Sequence, residues 1–188
     1  MTWSIGDDDA AALASRSLCG LVDELKRQAA AIDSRSIAAL TARIVSAERL
    51  FITAAGRSAV VSRGFANRMM HMGFEVFYVG DITTPAITAD DTLLVVSNSG
   101  RTGSPLAAAR TAHALGAEIL AITGAPDNPL AELSSRIVVI SNNGDLDQPL
   151  NSLSEQLTFL TLESIVLNIM AVCQIDEDEM RARHANLE

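Results

Sequence analysis

Thr92-Leu93-Leu94-Val95-Val96-Ser97-Asn98-Ser99-Gly100-Arg101-Thr102-Gly103-Ser104-Pro105 is the stretch that decides the fold. Thr92–Val96 is a short, β-branched apolar run without polar alternation, the pattern of a strand buried on both faces. It breaks into a turn of three serines, a threonine and two glycines, and Pro105 then opens a helical pattern that reaches Leu115. Ser104 is the expected N-cap and Pro105 the expected first helical residue. Gly116 supplies the left-handed residue after the last turn. A buried strand passing through a tight turn into a helix is the first half of a βαβ unit.

The same pattern recurs outward from this stretch. Short apolar runs at Leu50–Ala54, Glu75–Val79, Glu118–Thr123 and Ile137–Ile140 read as further buried strands. A helical pattern from Ala59 to Met72, closed by Gly73, separates the first two. Strands alternating with helices of this length form right-handed crossovers and a parallel sheet. The expected class is α/β, a doubly wound five-stranded parallel sheet of flavodoxin-like type. A long last helix is expected from Ser152 to Val172, with Leu153, Leu157, Leu160, Ile165, Ile169 and Val172 facing inward, and another starts near Asp176–Glu179.

Ahead of the first strand, Leu13, Leu18, Leu21, Val22, Leu25, Ala29 and Ile32 recur at helical spacing and give one apolar stripe. Asp33 or Ser34 then caps a second helix through Ile37, Leu40 and Ile44. Residues 1–46 are therefore read as a helical extension that buries a neighbouring subunit's matching face, and residues 47–188 as the α/β domain.

Composition narrows the function classes. A chain of 188 residues suits one well-buried domain. The formal net charge of −9, with 14 basic residues scattered along the chain, argues against a nucleic-acid partner. No apolar run approaches the roughly 20 residues of a membrane helix, so no membrane partner is expected. The acidic start, Asp7-Asp8-Asp9 included, lacks the apolar core of a signal peptide, and a cytoplasmic location is expected. Cys19 and Cys173 both fall in apolar helical patterns and are expected to be buried free thiols.

In open α/β sheets ligands bind beyond the carboxyl ends of the strands. The turn after the first strand is Ala55-Gly56-Arg57-Ser58, and the turn after the third is Ser97 to Thr102. Hydroxyls, approachable backbone N–H groups and a helix N-terminus are what a phosphate monoester needs, with Arg101 as counter-ion. An ordinary strand-to-helix turn also favours Ser and Gly, so the residues alone support an anion site and nothing narrower. No Lys-Ser or Lys-Thr follows the glycines, and the G-x-G-x-x-G dinucleotide turn is absent.

The Ser97-x-Ser99-Gly100-x-Thr102 turn on the third strand resembles the phosphate signature of SIS (sugar isomerase) domains. Ala55-Gly56-Arg57-Ser58, Arg68-Met69-Met70-His71-Met72-Gly73-Phe74, Thr83-Thr84-Pro85 and Arg183-His184-Ala185-Asn186-Leu187-Glu188 resemble the 6-phospho-3-hexuloisomerases. The resemblance implies interconversion of D-arabino-hex-3-ulose 6-phosphate and D-fructose 6-phosphate, the second step of formaldehyde fixation by the ribulose monophosphate route. It further implies a phosphosugar substrate, a homo-oligomer (tetramer or dimer), and no metal or other cofactor. Gly56, Arg57, Ser58, Ser97, Asn98, Ser99, Gly100, Arg101 and Thr102 would bind substrate and phosphate.

The resemblance places the catalytic glutamate at Glu155, near the start of the last helix, where the helix dipole favours a carboxylate. Taken alone, Ser152-Leu153-Ser154-Glu155 also reads as a capping box. His184, in the tail, is the expected second catalytic group, a proton shuttle or ring-opening acid that could cross a subunit boundary. His71 is expected at the opposite edge of the sheet, from which it could reach a neighbour's site, and His113 on the surface. The family usually carries glutamate where Gly103 stands, and Gly and Phe where Asn151 and Ser154 stand. Two other readings remain open at this level: another SIS aldose–ketose isomerase, and a non-catalytic phosphosugar sensor.

Overall fold

The computed structural model describes residues 5–141 and 148–187. Five strands, β1 (Leu50–Ala54), β2 (Val76–Tyr78), β3 (Thr92–Ser97), β4 (Glu118–Thr123) and β5 (Arg136–Val139), form one sheet in the order β2-β1-β3-β4-β5. Every pairing is parallel. The helices are α1 (Asp7–Ala29), α2 (Ser34–Val45), α3 (Gly56–His71), α4 (Gly103–Ala114), α5 (Pro129–Leu133), α6 (Ser152–Cys173) and α7 (Glu177–Ala182). The doubly wound expectation holds. The chain's winding reverses between β1 and β3, and a crevice opens beyond their carboxyl ends at such a switch point.

Side-chain alternation along the strands builds two cores. Leu50, Ile52, Leu94, Val96, Leu120 and Ile122 face one side, where they meet Leu40 and Ile44 of α2, Phe65 and Met69 of α3, and Leu157, Ile165 and Ile169 of α6. Phe51, Leu93, Val95, Ile119 and Ala121 face the other, against Leu106, Ala109 and Ala112 of α4 and Leu130 of α5. Burial of both faces explains the unalternated apolar runs. α2 is capped by Asp33, whose carboxylate accepts from Arg35 N (3.0 Å) and Ser36 N (3.2 Å).

Several details differ from expectation. α3 starts at Gly56 and α4 at Gly103, each earlier than the apolar periodicity implies, because their first turns hold glycine and hydroxyl residues. The N-cap of α4 is accordingly Thr102, without a side-chain cap, and Ser104 lies inside the helix. α5 was not anticipated, although its signal is present: Asn128 caps Leu130 N and Ala131 N at 3.0 Å each, and Pro129 follows. Cys19 and Cys173 are both exposed, not buried. They sit on outward faces of α1 and α6 whose apolar neighbours Leu13, Leu18, Val22, Leu167 and Val172 are exposed too. Leu160 and Val172 likewise point outward rather than into the core.

The long helix bears on the membrane reading of the sequence. Pro149–Cys173, 25 residues long, contains an 18-residue stretch of mean hydropathy 1.6, enough by length and composition alone to cross a membrane. Its Leu153, Leu157, Leu162, Ile165 and Ile169 form part of the core instead, and core helices share that composition.

At the amino ends of β1 and β3, Arg49 forks onto Asp91, with Nε–Oδ1 at 2.7 Å and Nη2–Oδ2 at 2.6 Å. Thr88 donates to the same carboxylate from its backbone N (2.6 Å) and its hydroxyl (2.9 Å). Burial disfavours a charged Asp91, but these donors outweigh it and hold its pKa below the usual carboxylate range. The stability this contributes is present above the unfolded-state pKa and is lost as pH falls through the folded-state value. Asp91→Ala is expected to cost about 2 kcal/mol at neutral pH. The difference from wild type should shrink in urea denaturation as pH falls below the normal range for aspartate.

Candidate active site

The turns after β1 and β3 meet at the switch point. In the β3 turn Gly100 N donates to Ser97 O at 3.0 Å, closing the turn, and Gly100 adopts φ +61°. A Cβ there would run into the side-chain amide of Asn128. Asn128 is buried and pinned, donating from Nδ2 to Thr123 Oγ1 (2.9 Å) and Ala125 O (2.7 Å). Glycine is therefore required at position 100 by both conformation and space.

This turn gathers the hydroxyls. Ser97 Oγ lies 3.2 Å from Thr102 Oγ1, and Ser99 Oγ lies 3.4 Å from it. Ser99 Oγ also accepts from Arg101 N at 3.2 Å. Asn98 closes the floor: its carbonyl accepts from Gly124 N at 2.8 Å, and its Oδ1 is buried with no partner among the described residues. These groups line a pocket of about 160 Å³ together with Ala55, Ser58, Leu150, Asn151, Ser154 and Glu155. α4 points its N-terminus at the turn, which adds the positive end of a helix dipole.

Glu155 enters the same pocket from α6. The chain reaches that helix through two left-handed residues, Leu150 (φ 53°) and Asn151 (φ 64°), and Asn151 is the N-cap without a side-chain cap. The capping box that Ser152 to Glu155 could also have formed is absent. Ser152 Oγ donates back to Pro149 O at 2.6 Å, and Glu155 Oε2 pairs with Arg57 Nε at 2.7 Å. The left-handed entry withdraws Ser152 from the capping position, which frees the carboxylate. Its side chain is 21% exposed.

Of the anticipated residues, Ser58, Ser97, Asn98, Ser99, Thr102 and Glu155 line one pocket. Gly56 starts α3 at φ +60° and lets the β1 turn close. Arg101 lies exposed beside the pocket. Arg57 does not line the hydroxyl pocket; it lies on the other side of Glu155. Gly124, Asn128 and Leu150 were not anticipated, whereas Asn151 and Ser154, the departures from the family pattern beside Glu155, do line the pocket. Asn128 had a legible cap signal, but its packing against Gly100 depends on the distant β4 turn. At Gly103 a Cβ would meet nothing within 4 Å, so a larger residue is sterically acceptable there.

His184 is not in this pocket. It stacks on His71 at 4.9 Å between ring centroids, at the far end of α3 and the opposite edge of the sheet. A separate cavity of about 360 Å³ lies there, lined in part by Arg68, Glu163, Arg181 and both histidines. Burial, and then the neighbouring His184 and Arg68, push the His71 pKa below the usual imidazole value. His113 is exposed on α4, as expected. Among the described residues no group of three or more His, Cys, Asp or Glu is placed to hold a metal ion.

The SIS domain family model matches residues 43–163, spanning β1, both turns and Glu155. The chain belongs to the SIS-domain family. A 3-hexulose-6-phosphate isomerase of Mycobacterium gastri is 39% identical over 191 residues, covering 98% of this chain and 94% of its own. A 3-hexulose-6-phosphate isomerase of Bacillus subtilis is 32% identical over 176 residues, covering 89% and 95%. A crystal structure from Methanococcus jannaschii, described as inferring a 3-hexulose-6-phosphate isomerase function, superposes with TM-score 0.80 at 29% identity. It covers 89% of this chain and 98% of that one.

Gly100→Ala forces a Cβ into the left-handed region at about 1–2 kcal/mol and pushes Asn128 out of its pinned position. The protein should still fold, with a lower thermal midpoint. Inorganic phosphate binding, read by calorimetry, should weaken at least about tenfold, which is roughly 1.4 kcal/mol.

Proposed function

We infer that the protein is a phosphosugar isomerase that interconverts D-arabino-hex-3-ulose 6-phosphate and D-fructose 6-phosphate. One observation carries this reading: a carboxylate, Glu155, shares a small pocket with the three hydroxyls of a phosphate-type turn. The names of the relatives support the choice of sugar.

Moving a ketone from C3 to C2 requires removal of the C2 proton, an enediol, and return of a proton to C3. One carboxylate placed beside both carbons can carry that proton in both directions. Glu155 takes this role. Ser97, Ser99, Thr102 and backbone N–H groups of the Gly100 turn hold the 6-phosphate, with Ser58 across the pocket and Arg101 as the counter-ion. Fixing the phosphate sets C2 and C3 against the carboxylate, so binding energy remote from the reacting carbons supplies the orientation.

The SIS assignment of residues 47–188 follows the site, and the helices before it serve assembly. Leu13, Leu18 and Val22 on α1, and Phe159, Leu160, Leu167 and Val172 on α6, are exposed. Apolar residues concentrated on two helices support a homo-oligomer, dimer or tetramer. His184 reaches substrate only from a neighbouring subunit in this scheme. The acidic, Ala-rich α1 is a poor DNA-binding segment, which favours an enzyme over a sugar-sensing regulator. A cytoplasmic place in formaldehyde assimilation fits the same substrate.

Glu155→Gln should lower turnover at least about 1000-fold while inorganic phosphate still binds, in an assay that couples formation of fructose 6-phosphate to a dehydrogenase. Wild type should turn over without added metal. Phosphate binding without turnover in the wild type would reverse the assignment in favour of a sensor. Leu18→Glu combined with Val22→Glu should shift the light-scattering mass of the protein toward the monomer.

A further inference from the structure

Arg57 was expected among the residues that bind substrate and phosphate, and its geometry sets it apart from the hydroxyls of the phosphate-type turn. Its guanidinium is held on two of its three nitrogens. Nε sits 2.7 Å from Glu155 Oε2, and Nη2 donates to Leu150 O (2.9 Å) and Ser152 Oγ (3.2 Å). Those acceptors belong to the left-handed entry into α6, so Arg57 ties the first turn of α3 to the segment that carries Glu155. The Nη1 nitrogen makes no hydrogen bond among the described residues. An arginine presents five N–H donors in a fixed fork, which leaves the two on Nη1 uncommitted.

The surroundings give those donors a place to act. Arg57 lines a second cleft, of about 440 Å³, with Leu25, Val61, Gln156 and Phe159. Glu155 lines both this cleft and the hydroxyl pocket. A phosphate seated among Ser97, Ser99 and Thr102 therefore has the carboxylate between it and Arg57. A carbon chain that runs from that phosphate past Glu155 would enter the cleft that Arg57 fronts. Gln156 lines the same cleft, and its Oε1 is buried with no partner among the described residues.

We propose that Arg57 stabilises the enediolate formed when Glu155 deprotonates the substrate, and is not a phosphate ligand. The proposal rests on Glu155 as the base. In the first half-reaction the C2–H bond breaks and its proton passes to the Glu155 carboxylate. The C–H electron pair becomes the C2=C3 bond, and the carbonyl π pair moves onto O3. Negative charge thus leaves Glu155 and appears on a substrate oxygen beside the same guanidinium. In the second half-reaction the O2 hydroxyl proton passes to O3, the C2=O2 bond forms, and the Glu155 proton returns to C3. Atoms and electrons balance without a co-reactant. A fixed cation that faces the charge in both positions needs no rearrangement as the charge moves, which is the condition for electrostatic stabilisation of a transition state.

The test compares Arg57→Gln and Arg57→Lys with wild type in steady-state isomerisation, and follows wash-in of deuterium from D₂O at the substrate's reacting carbons. Arg57→Gln should lower kcat about 100-fold with KM changed less than about threefold, and deuterium wash-in should fall with kcat. Arg57→Lys, which keeps the charge and loses the fork, should recover about tenfold of that loss. A raised KM at unchanged kcat, or a lysine variant no better than the glutamine variant, would overturn the proposal. If the glutamine variant does not fold, the lysine variant decides alone: lowered kcat at unchanged KM supports the role, and the reverse refutes it. Loss of wash-in in Glu155→Gln establishes the base independently, so failure at Arg57 stays distinguishable from failure at Glu155.

Discussion

The parallel pairing of β1 with β3, from Leu50 opposite Thr92 to Ala54 opposite Val96, is the constraint on which the rest of the molecule depends. It puts the ends of two non-consecutive strands side by side, and the chain leaves them toward opposite faces of the sheet. α3 goes to the face of α2 and α6, and α4 goes to the other. The crevice between them exposes the first turns of both helices, so hydroxyls and N–H groups that a continuous sheet would have covered remain available. Every element of the candidate site is placed by this divergence or docks against it.

α6 is the element that docks. Its apolar residues continue the core made by β1, β3 and β4, and that packing brings its first turn to the crevice. The turn is not a standard capped one. Two left-handed residues precede it, and Arg57 holds both Leu150 O and Glu155 from the facing helix. Left-handed backbone at non-glycine residues is costly. Here the cross-helix bonds of Arg57 hold it, and the result is a carboxylate free of its own helix's N–H groups. The opposite edge carries the Arg49–Asp91 fork and the His71–His184 stack. Pairing at that edge buries the Asp91 carboxylate, while the crevice keeps polar atoms such as Asn98 Oδ1 unmatched.

Much of this was legible beforehand. The central strands β1, β3 and β4 were readable because both faces of each are buried, which leaves an apolar run with few alternatives. Gly73 and Gly116 marked helix ends because only glycine takes φ of 92° and 88° cheaply. The phosphate-type turn was readable because hydroxyls and glycines crowd where apolar periodicity stops. What misled was local pattern without knowledge of facing. Cys19 and Cys173 sit in apolar helical stretches, yet those stretches contain outward stripes as well as buried ones. Ser152 to Glu155 has the letters of a capping box, but the helix is entered from the left-handed region.

The sequence by itself determined the order of the strands and of the helices other than α5, the parallel sheet, the anion-type turn and, through family resemblance, the glutamate to look at. These follow from short-range causes: periodicity, turn chemistry and the conformational needs of glycine. Only the tertiary structure decided that Asn128 wedges against Gly100, that Arg57 stands behind Glu155, and that His184 lies at the far edge from its own chain's pocket. Each of those is a contact between residues distant in sequence, set by which sheet face a helix covers and by the angle at which it arrives. No local pattern encodes that angle.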